Sequence, residues 1–313
     1  LRIIFAGTPL NAATTLEALL KSGQNVVAVL TREDAPVGRK RVLTPSPVAL
    51  IAESARIPLI KANKITPEVN QRIAEYQPEL GIAVAYGVIF KTETLQLPSS
   101  GWINLHYSLL PAWRGAAPVQ HSILSGNPET GVTIFALDEG MDTGPILSQI
   151  KTLIEPGENS GELLGRLTHL GISGLLEILP SMESGVAKST EQTTAEVSAA
   201  NKINRADARI DWQEKARVIE LKVRAFNPEP MAWAQHDDSP VRILEASALG
   251  SVANKLSFAT GAANGQVLIE NGRVYVLCAD ETALELKQVQ PAGKNPMAAQ
   301  DWARGLKIAP VLN

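Results

Sequence analysis

The chain has 313 residues, 45% hydrophobic and 19% charged, which is enough for two domains with buried cores and ordinary for a globular protein. Its longest apolar run, residues 80–90, falls well short of the roughly 20 residues of a membrane-spanning helix, and a net charge of -3 leaves any nucleic-acid contact to a local basic patch. A single cysteine, Cys278, excludes an internal disulfide and a cysteine-built metal cluster.

RIIFA (2–6), NVVAVLT (25–31), LGIAVA (80–85), GWINLH (101–106) and VTIFAL (132–137) are β-rich runs, several apolar throughout, as strands covered on both faces are. Between them NAATTLEALLKSG, SPVALIAESA, TPEVNQRIAEY and APVQHSILSG carry helical spacing. The alternation predicts an α/β fold with a doubly wound, mostly parallel sheet. After the first strand, Gly7, Thr8 and Pro9 read as a tight turn, and no G-x-G-x-x-G motif supports dinucleotide binding. The same turn cuts off the short apolar start, so no secretory signal is expected and a cytoplasmic location is. TREDAPVGRKRVLTPSP (31–47) is longer than a usual strand-to-helix loop and holds Arg39, Lys40 and Arg41 beside Gly38. It is either a solvated charged loop or a mobile basic finger that meets phosphates.

INLHYSLLPAWRGAAP (103–118) places Asn104 and His106 two apart on a strand, hence on one face, at the carboxyl end where open parallel sheets bind ligands. In LDEGMDTGPIL (137–147), Asp142 sits in a loop loosened by Gly140 and Gly144. On the expectation that both preceding strands are parallel and end at one edge, Asp142 approaches the other two. Any one of the three alone reads as a structural residue. Together they supply a proton acceptor, its orienting carboxylate and an amide donor for a developing oxyanion, a set suited to acyl transfer to an amine. Arg114 either clamps an anion or pins its own loop. His121, His169 and His236 lack a partner motif and read as structural.

Residues 181–204 shift to Ser, Thr, Ala, Glu and Lys with little apolar periodicity and read as an interdomain linker. An amphipathic helix over 214–226 follows, then strands VRILEAS, GQVLIENG, RVYVLCA and ALELKQVQ, with an Asn-Gly hairpin turn in ENGRV. A small antiparallel barrel or sandwich is expected.

FAGTP, AYG, INLHYSLLPAWRGAAP, ETGVTIFALDEGMDTGPIL, ARIDW, RAFNPEPMAW and VQPAGKNPMAAQ run from the first strand nearly to the C-terminus. In these stretches the chain resembles the methionyl-tRNA formyltransferase family. Its Asn-x-His, Ser-Leu-Leu-Pro and Asp-Thr-Gly elements are shared with the wider folate-dependent formyltransferases. The resemblance implies a Rossmann-like formyl-transfer domain (1–185), a linker (186–204) and an OB-like tRNA-binding barrel (205–313). It implies 10-formyltetrahydrofolate as co-substrate, no metal, methionyl-initiator tRNA met at its acceptor stem, and a monomer. By position it makes Asn104, His106 and Asp142 catalytic, puts Ser108, Leu109, Leu110 and Pro111 in the folate site, and turns Arg39, Lys40 and Arg41 toward the tRNA. Whether His106 acts as base or as a charged oxyanion stabiliser stays open. Leu10 and Asn11 stand where the family usually has an acidic residue and Phe, and Tyr107 stands where a small residue is common. The rival readings are a formyltransferase acting on a sugar-nucleotide amine or on glycinamide ribonucleotide, and a nucleotide-binding or RNA-binding module that has lost catalysis.

Overall fold

The computed structural model describes residues 1–38, 40–252, 256–258, 261–306 and 310–313. Two compact units divide the chain. The first comprises Leu1–Pro118, Glu129–Leu153 and Leu164–Asn201, the second Val119–Pro128, Ile154–Leu163 and Lys202–Asn313.

The first unit is built on a seven-stranded sheet: β1 (Ile3–Gly7), β2 (Val26–Thr31), β3 (Leu59–Lys61), β4 (Leu80–Val84), β5 (Trp102–His106), β6 (Glu129–Ala136) and β7 (Ile146–Leu153). Its spatial order is β7-β6-β5-β4-β1-β2-β3, with the first five strands in the chain mutually parallel. This is a Rossmann-like arrangement. Every residue of β1 and β4 is buried, the reason their sequences are apolar without alternation. Gly81 is required in β4 because a Cβ there would fall inside the Trp102 indole. Two of the helices between strands start where the sequence caps them. Ser46 Oγ accepts the Ala49 N–H at 3.0 Å and Thr66 Oγ1 accepts the Val69 N–H at 3.4 Å, each followed by a proline in the first turn.

One expectation is corrected. β6 pairs antiparallel to β5, with Ile103 opposite Ala136 and His106 opposite Thr133. It therefore ends beside the start of β5, at the far end from His106. The chain then doubles back through residues 137–145 into β7, a connection too short for the crossover that parallel neighbours need. β3, β7 and the helix Ser160–Glu183 are further elements that the apolar runs above do not include.

The polar segment expected as a linker is largely ordered within the first unit. Thr190 and Ile146 exchange backbone hydrogen bonds, both at 2.8 Å, and Ala199–Ala200 pairs parallel with Arg114–Gly115.

The second unit carries an antiparallel sheet of β8 (Trp233–His236), β9 (Ser239–Ser251), β10 (Val267–Glu270), β11 (Arg273–Leu277) and β12 (Thr282–Pro291), in the order β8-β9-β12-β11-β10. A short strand, β13 (Met297–Ala298), adds to β12. Asn271 and Gly272, both at positive φ, form the two-residue turn between β10 and β11. Register shifts along β9 are the bulges that let a long strand bend, consistent with an OB-like barrel. The helix Ala216–Ala225 packs on β9 and β12 and buries Ile219 and Val223. Among the described residues no helix is long and apolar enough to cross a membrane.

Candidate active site

At the carboxyl ends of β4 and β5 a cavity of about 440 Å³ opens. Val88, Ile89, Phe90, Leu95 and Leu137 give it apolar walls, and Asn104, His106 and Asp142 give it a polar end. Asn104 and His106 reach it as alternate residues of β5. Asn104 is half-buried, and its amide makes no hydrogen bond to the described residues.

His106 is buried, with its ring edge-on to Phe135 at 6.3 Å between centroids. Its Nε2 lies 2.9 Å from the Trp113 carbonyl oxygen. A carbonyl only accepts, so Nε2 carries the hydrogen and the neutral ring keeps its lone pair on Nδ1. Nδ1 faces Asp142 Oδ2 at 3.7 Å. Burial, the largest influence, lowers the His106 pKa below the ordinary 6.5, against the opposing pull of Asp142 and of the Trp113 carbonyl. Burial therefore favours the neutral ring.

Asp142 arrives by a route the sequence does not show. Its backbone is left-handed, at φ 56°, and its Oδ2 accepts the Gly115 N–H at 2.7 Å. Gln192 Nε2 donates to the carbonyls of Asp142 and Gly144 at 2.9 and 2.8 Å. Gln192 Oε1 in turn accepts from Arg114 Nε and Nη2 at 3.1 and 2.6 Å. Arg114 thus pins its loop. Gln192 sits in a polar run without periodicity, so nothing in the sequence marks it.

Ser108, Leu109, Leu110 and Pro111 do not line the cavity. Ser108 Oγ donates to the Ala112 carbonyl at 2.6 Å, and Thr133 Oγ1 both donates to the Ser108 carbonyl at 2.7 Å and accepts the Leu110 N–H at 3.1 Å. Gln149 Nε2 donates to the Leu110 carbonyl at 2.9 Å. The motif's polar groups are thereby used in folding the loop that delivers Trp113 to His106. The two departures from the family pattern meet each other: Asn11 Nδ2 donates to the Tyr107 hydroxyl at 2.9 Å.

Lys40 and Arg41 lie exposed at the turn of a hairpin in which Ala35–Val37 pairs antiparallel with Val42–Thr44, and neither lines the cavity. Arg39 lies outside the described residues. His121, His169 and His236 are likewise absent from the cavity wall. Cys278 is buried in the second unit and its thiol is pushed up to about 12 by that burial, which makes it a poor nucleophile. Among the described residues no group of His, Cys, Asp and Glu side chains is disposed to hold a metal ion.

Comparison with known proteins bears on this geometry. Residues 1–179 match the family model described as formyl transferase, and residues 202–307 match that of the formyl transferase C-terminal domain. The methionyl-tRNA formyltransferase of Arthrobacter sp. (strain FB24) is 47% identical over 305 residues, covering 97% of both chains. That of Paenarthrobacter aurescens (strain TC1) is 45% identical over 306 residues, covering 98% of this chain and 97% of its own. Among solved structures, an N-formyltransferase from Helicobacter canadensis, in complex with folinic acid and dTDP-3-aminofucose, superimposes with a TM-score of 0.66. It is 19% identical and covers 91% of this chain and 98% of its own. HypX from Aquifex aeolicus, in complex with tetrahydrofolic acid, gives 0.65 at 18% identity, over 97% of this chain and 47% of its own. These two likenesses establish the fold. Near-complete coverage by close relatives, together with both domain models, places the chain in the formyltransferase family, among the methionyl-tRNA formyltransferases.

Proposed function

We propose that the chain transfers the formyl group of 10-formyltetrahydrofolate to the α-amino group of methionyl-initiator tRNA, with Asn104, His106 and Asp142 as its catalytic residues. The observation that carries this reading is the convergence of three groups on one cavity wall: His106, held at Nε2 by the Trp113 carbonyl, the Asp142 carboxylate facing its Nδ1, and the unpaired Asn104 amide. A cavity with apolar walls and a few polar side chains fits a flat aromatic group whose reactive edge meets those side chains. The folate supplies the formyl carbon, and its N10 takes up a proton as it leaves.

The methionyl amine attacks as the neutral species, and α-amino groups titrate near pH ~8. As the new C–N bond forms, the amine nitrogen sheds a proton, which His106 Nδ1 accepts. Asp142, 3.7 Å away, stabilises the imidazolium so formed. Asn104 donates its amide N–H to the formyl oxygen as that oxygen becomes negative, a contact worth roughly 3 to 4 kcal/mol in the transition state. Ser108, Leu109, Leu110 and Pro111 serve the folate site through the loop they fold.

The tRNA acceptor stem is assigned to the basic residues Arg39, Lys40 and Arg41, and to the second unit, so that a formyl-transfer domain over 1–185 and a tRNA-holding domain over 205–313 divide the work. In the second unit the Arg205 and Arg209 guanidiniums each lie 5.6 Å from the Trp233 ring centroid, a cationic and aromatic surface suited to nucleic acid. The chain is read as a monomer, and charged initiator tRNA as acceptor supports a cytoplasmic location.

Turnover decides the reading. Given the formylated folate, the protein should formylate charged initiator tRNA and leave a sugar-nucleotide amine untouched. Turnover of the sugar amine alone, or of neither acceptor, overturns it.

A further inference from the structure

The segment 190–200 is composed like a linker and behaves like a strap on the catalytic loops. Ser198 Oγ accepts the Trp113 N–H at 2.9 Å, its carbonyl accepts the Arg114 N–H at 2.9 Å, and the Ala200 carbonyl accepts the Ala116 N–H at 2.8 Å. Those bonds hold one loop only. Gln192 alone among these residues bonds both the loop that carries Arg114 and the loop that carries Asp142.

We propose that Gln192 is a positioning residue for formyl transfer, fastening the two loops so that the Asp142 carboxylate stays on the Gly115 N–H and in front of His106. The inference rests on the formyl-transfer reading given above. Asp142 occupies a left-handed conformation between Gly140 and Gly144, and such a loop relaxes unless its surroundings over-determine it. Gln192 satisfies the carbonyls of residues 142 and 144 with the two hydrogens of one NH₂ group, while its oxygen takes two guanidinium donors. Only a primary amide donates twice and accepts twice from one planar group. A Glu there keeps the Arg114 bonds and loses both donors. A Met keeps the shape and loses everything.

The test pairs Gln192→Met with Gln192→Glu and reads three quantities: kcat, KM for charged initiator tRNA, and hydrogen exchange at the amides of Gly115 and Leu105. Misplacing a catalytic group lowers kcat by about 10- to 100-fold in both variants. KM stays within about twofold, because no substrate contact is removed. The Gly115 amide exchanges faster while the Leu105 amide, inside β5, is unchanged. Wild-type kcat in either variant, a KM effect with kcat intact, or unchanged Gly115 protection overturns the proposal. Should Gln192→Met fail to fold, loss of Leu105 protection reports it and Gln192→Glu decides. A wild-type protein that formylates nothing fails the functional reading instead, and the Gly115 exchange contrast still tests the clamp.

Discussion

His106 has to be neutral before it can accept a proton, and its surroundings keep it so. The groups that face it are the Asp142 carboxylate, the Trp113 carbonyl and the edge of Phe135. Burial outweighs the first two and holds its pKa below 6.5. As pH falls through 6.5 the unfolded chain therefore binds the proton first. The stability conferred by neutral His106 is complete above 6.5 and is lost between 6.5 and the folded value. NMR titration of the imidazole should give a midpoint below 6.5, and replacing His106 with Asn should flatten the acid decline of stability. A midpoint above 6.5 contradicts the assignment. At Asn104 the expectation is kinetic: Asn104→Ala should cost about 10²- to 10³-fold in kcat, as removing one oxyanion donor does. A smaller loss, confined to KM, takes Asn104 out of the transition state. The Tyr107 hydroxyl is hydrogen-bonded by Thr168, Asn11 and Thr15, so removing it leaves buried partners unsatisfied. Tyr107→Phe should cost about 1 to 3 kcal/mol in chemical denaturation. The double variant Asn11→Ala, Tyr107→Phe should cost less than the sum of the single changes.

Around the cavity the loops hold three non-glycine residues at positive φ: Ala85, Trp113 and Asp142. Each lies in a loop tied by a distant side chain. Arg32 donates to the carbonyls of Tyr86 and Gly87, Ser198 and His106 hold Trp113, and Gln192 holds Asp142. Strain at such positions persists only where neighbours enforce it. Gly115 is constrained twice, by its φ of 121° and by the Ala200 carbonyl oxygen, which a Cβ would approach to 2.7 Å. Gly115→Ala should therefore lift the strap and lower both kcat and thermal stability; wild-type values of both would show that the loop can yield.

Sequence legibility follows from the same physics. β1 and β4 announce themselves because full burial keeps them apolar throughout, and β2 and β5 because burial keeps most of their positions apolar. β7 is an edge strand with only partial burial, and β3 has three residues, so neither leaves a strong apolar run. Asn104 and His106 are legible through the two-residue period of β5. The meeting of Asp142 with His106 is expected from the sequence for the wrong reason, because the direction of β6 is settled by pairing that no local pattern encodes. Gln192 acts through a contact fifty residues away along the chain and leaves no periodic trace.

At the scale of the whole molecule, charge decides how a polyanion is handled. With 29 basic and 32 acidic side chains the protein as a whole does not attract RNA. Affinity for tRNA then has to come from local clusters, and the exposed turn with Lys40 and Arg41 is one that stands clear of the chemistry. Phosphate contacts by such residues release counterions, so binding weakens as salt rises, with a slope set by the number of phosphates neutralised. Replacing Arg39, Lys40 and Arg41 together by Ala should raise KM for tRNA and flatten the plot of log KM against log salt by about one for each phosphate no longer neutralised. At saturating tRNA kcat should stay near wild type, since neither Lys40 nor Arg41 lines the cavity that holds His106. An unchanged slope and KM would remove the basic turn from tRNA recognition and leave that work to the second unit, where Arg205 and Arg209 flank Trp233.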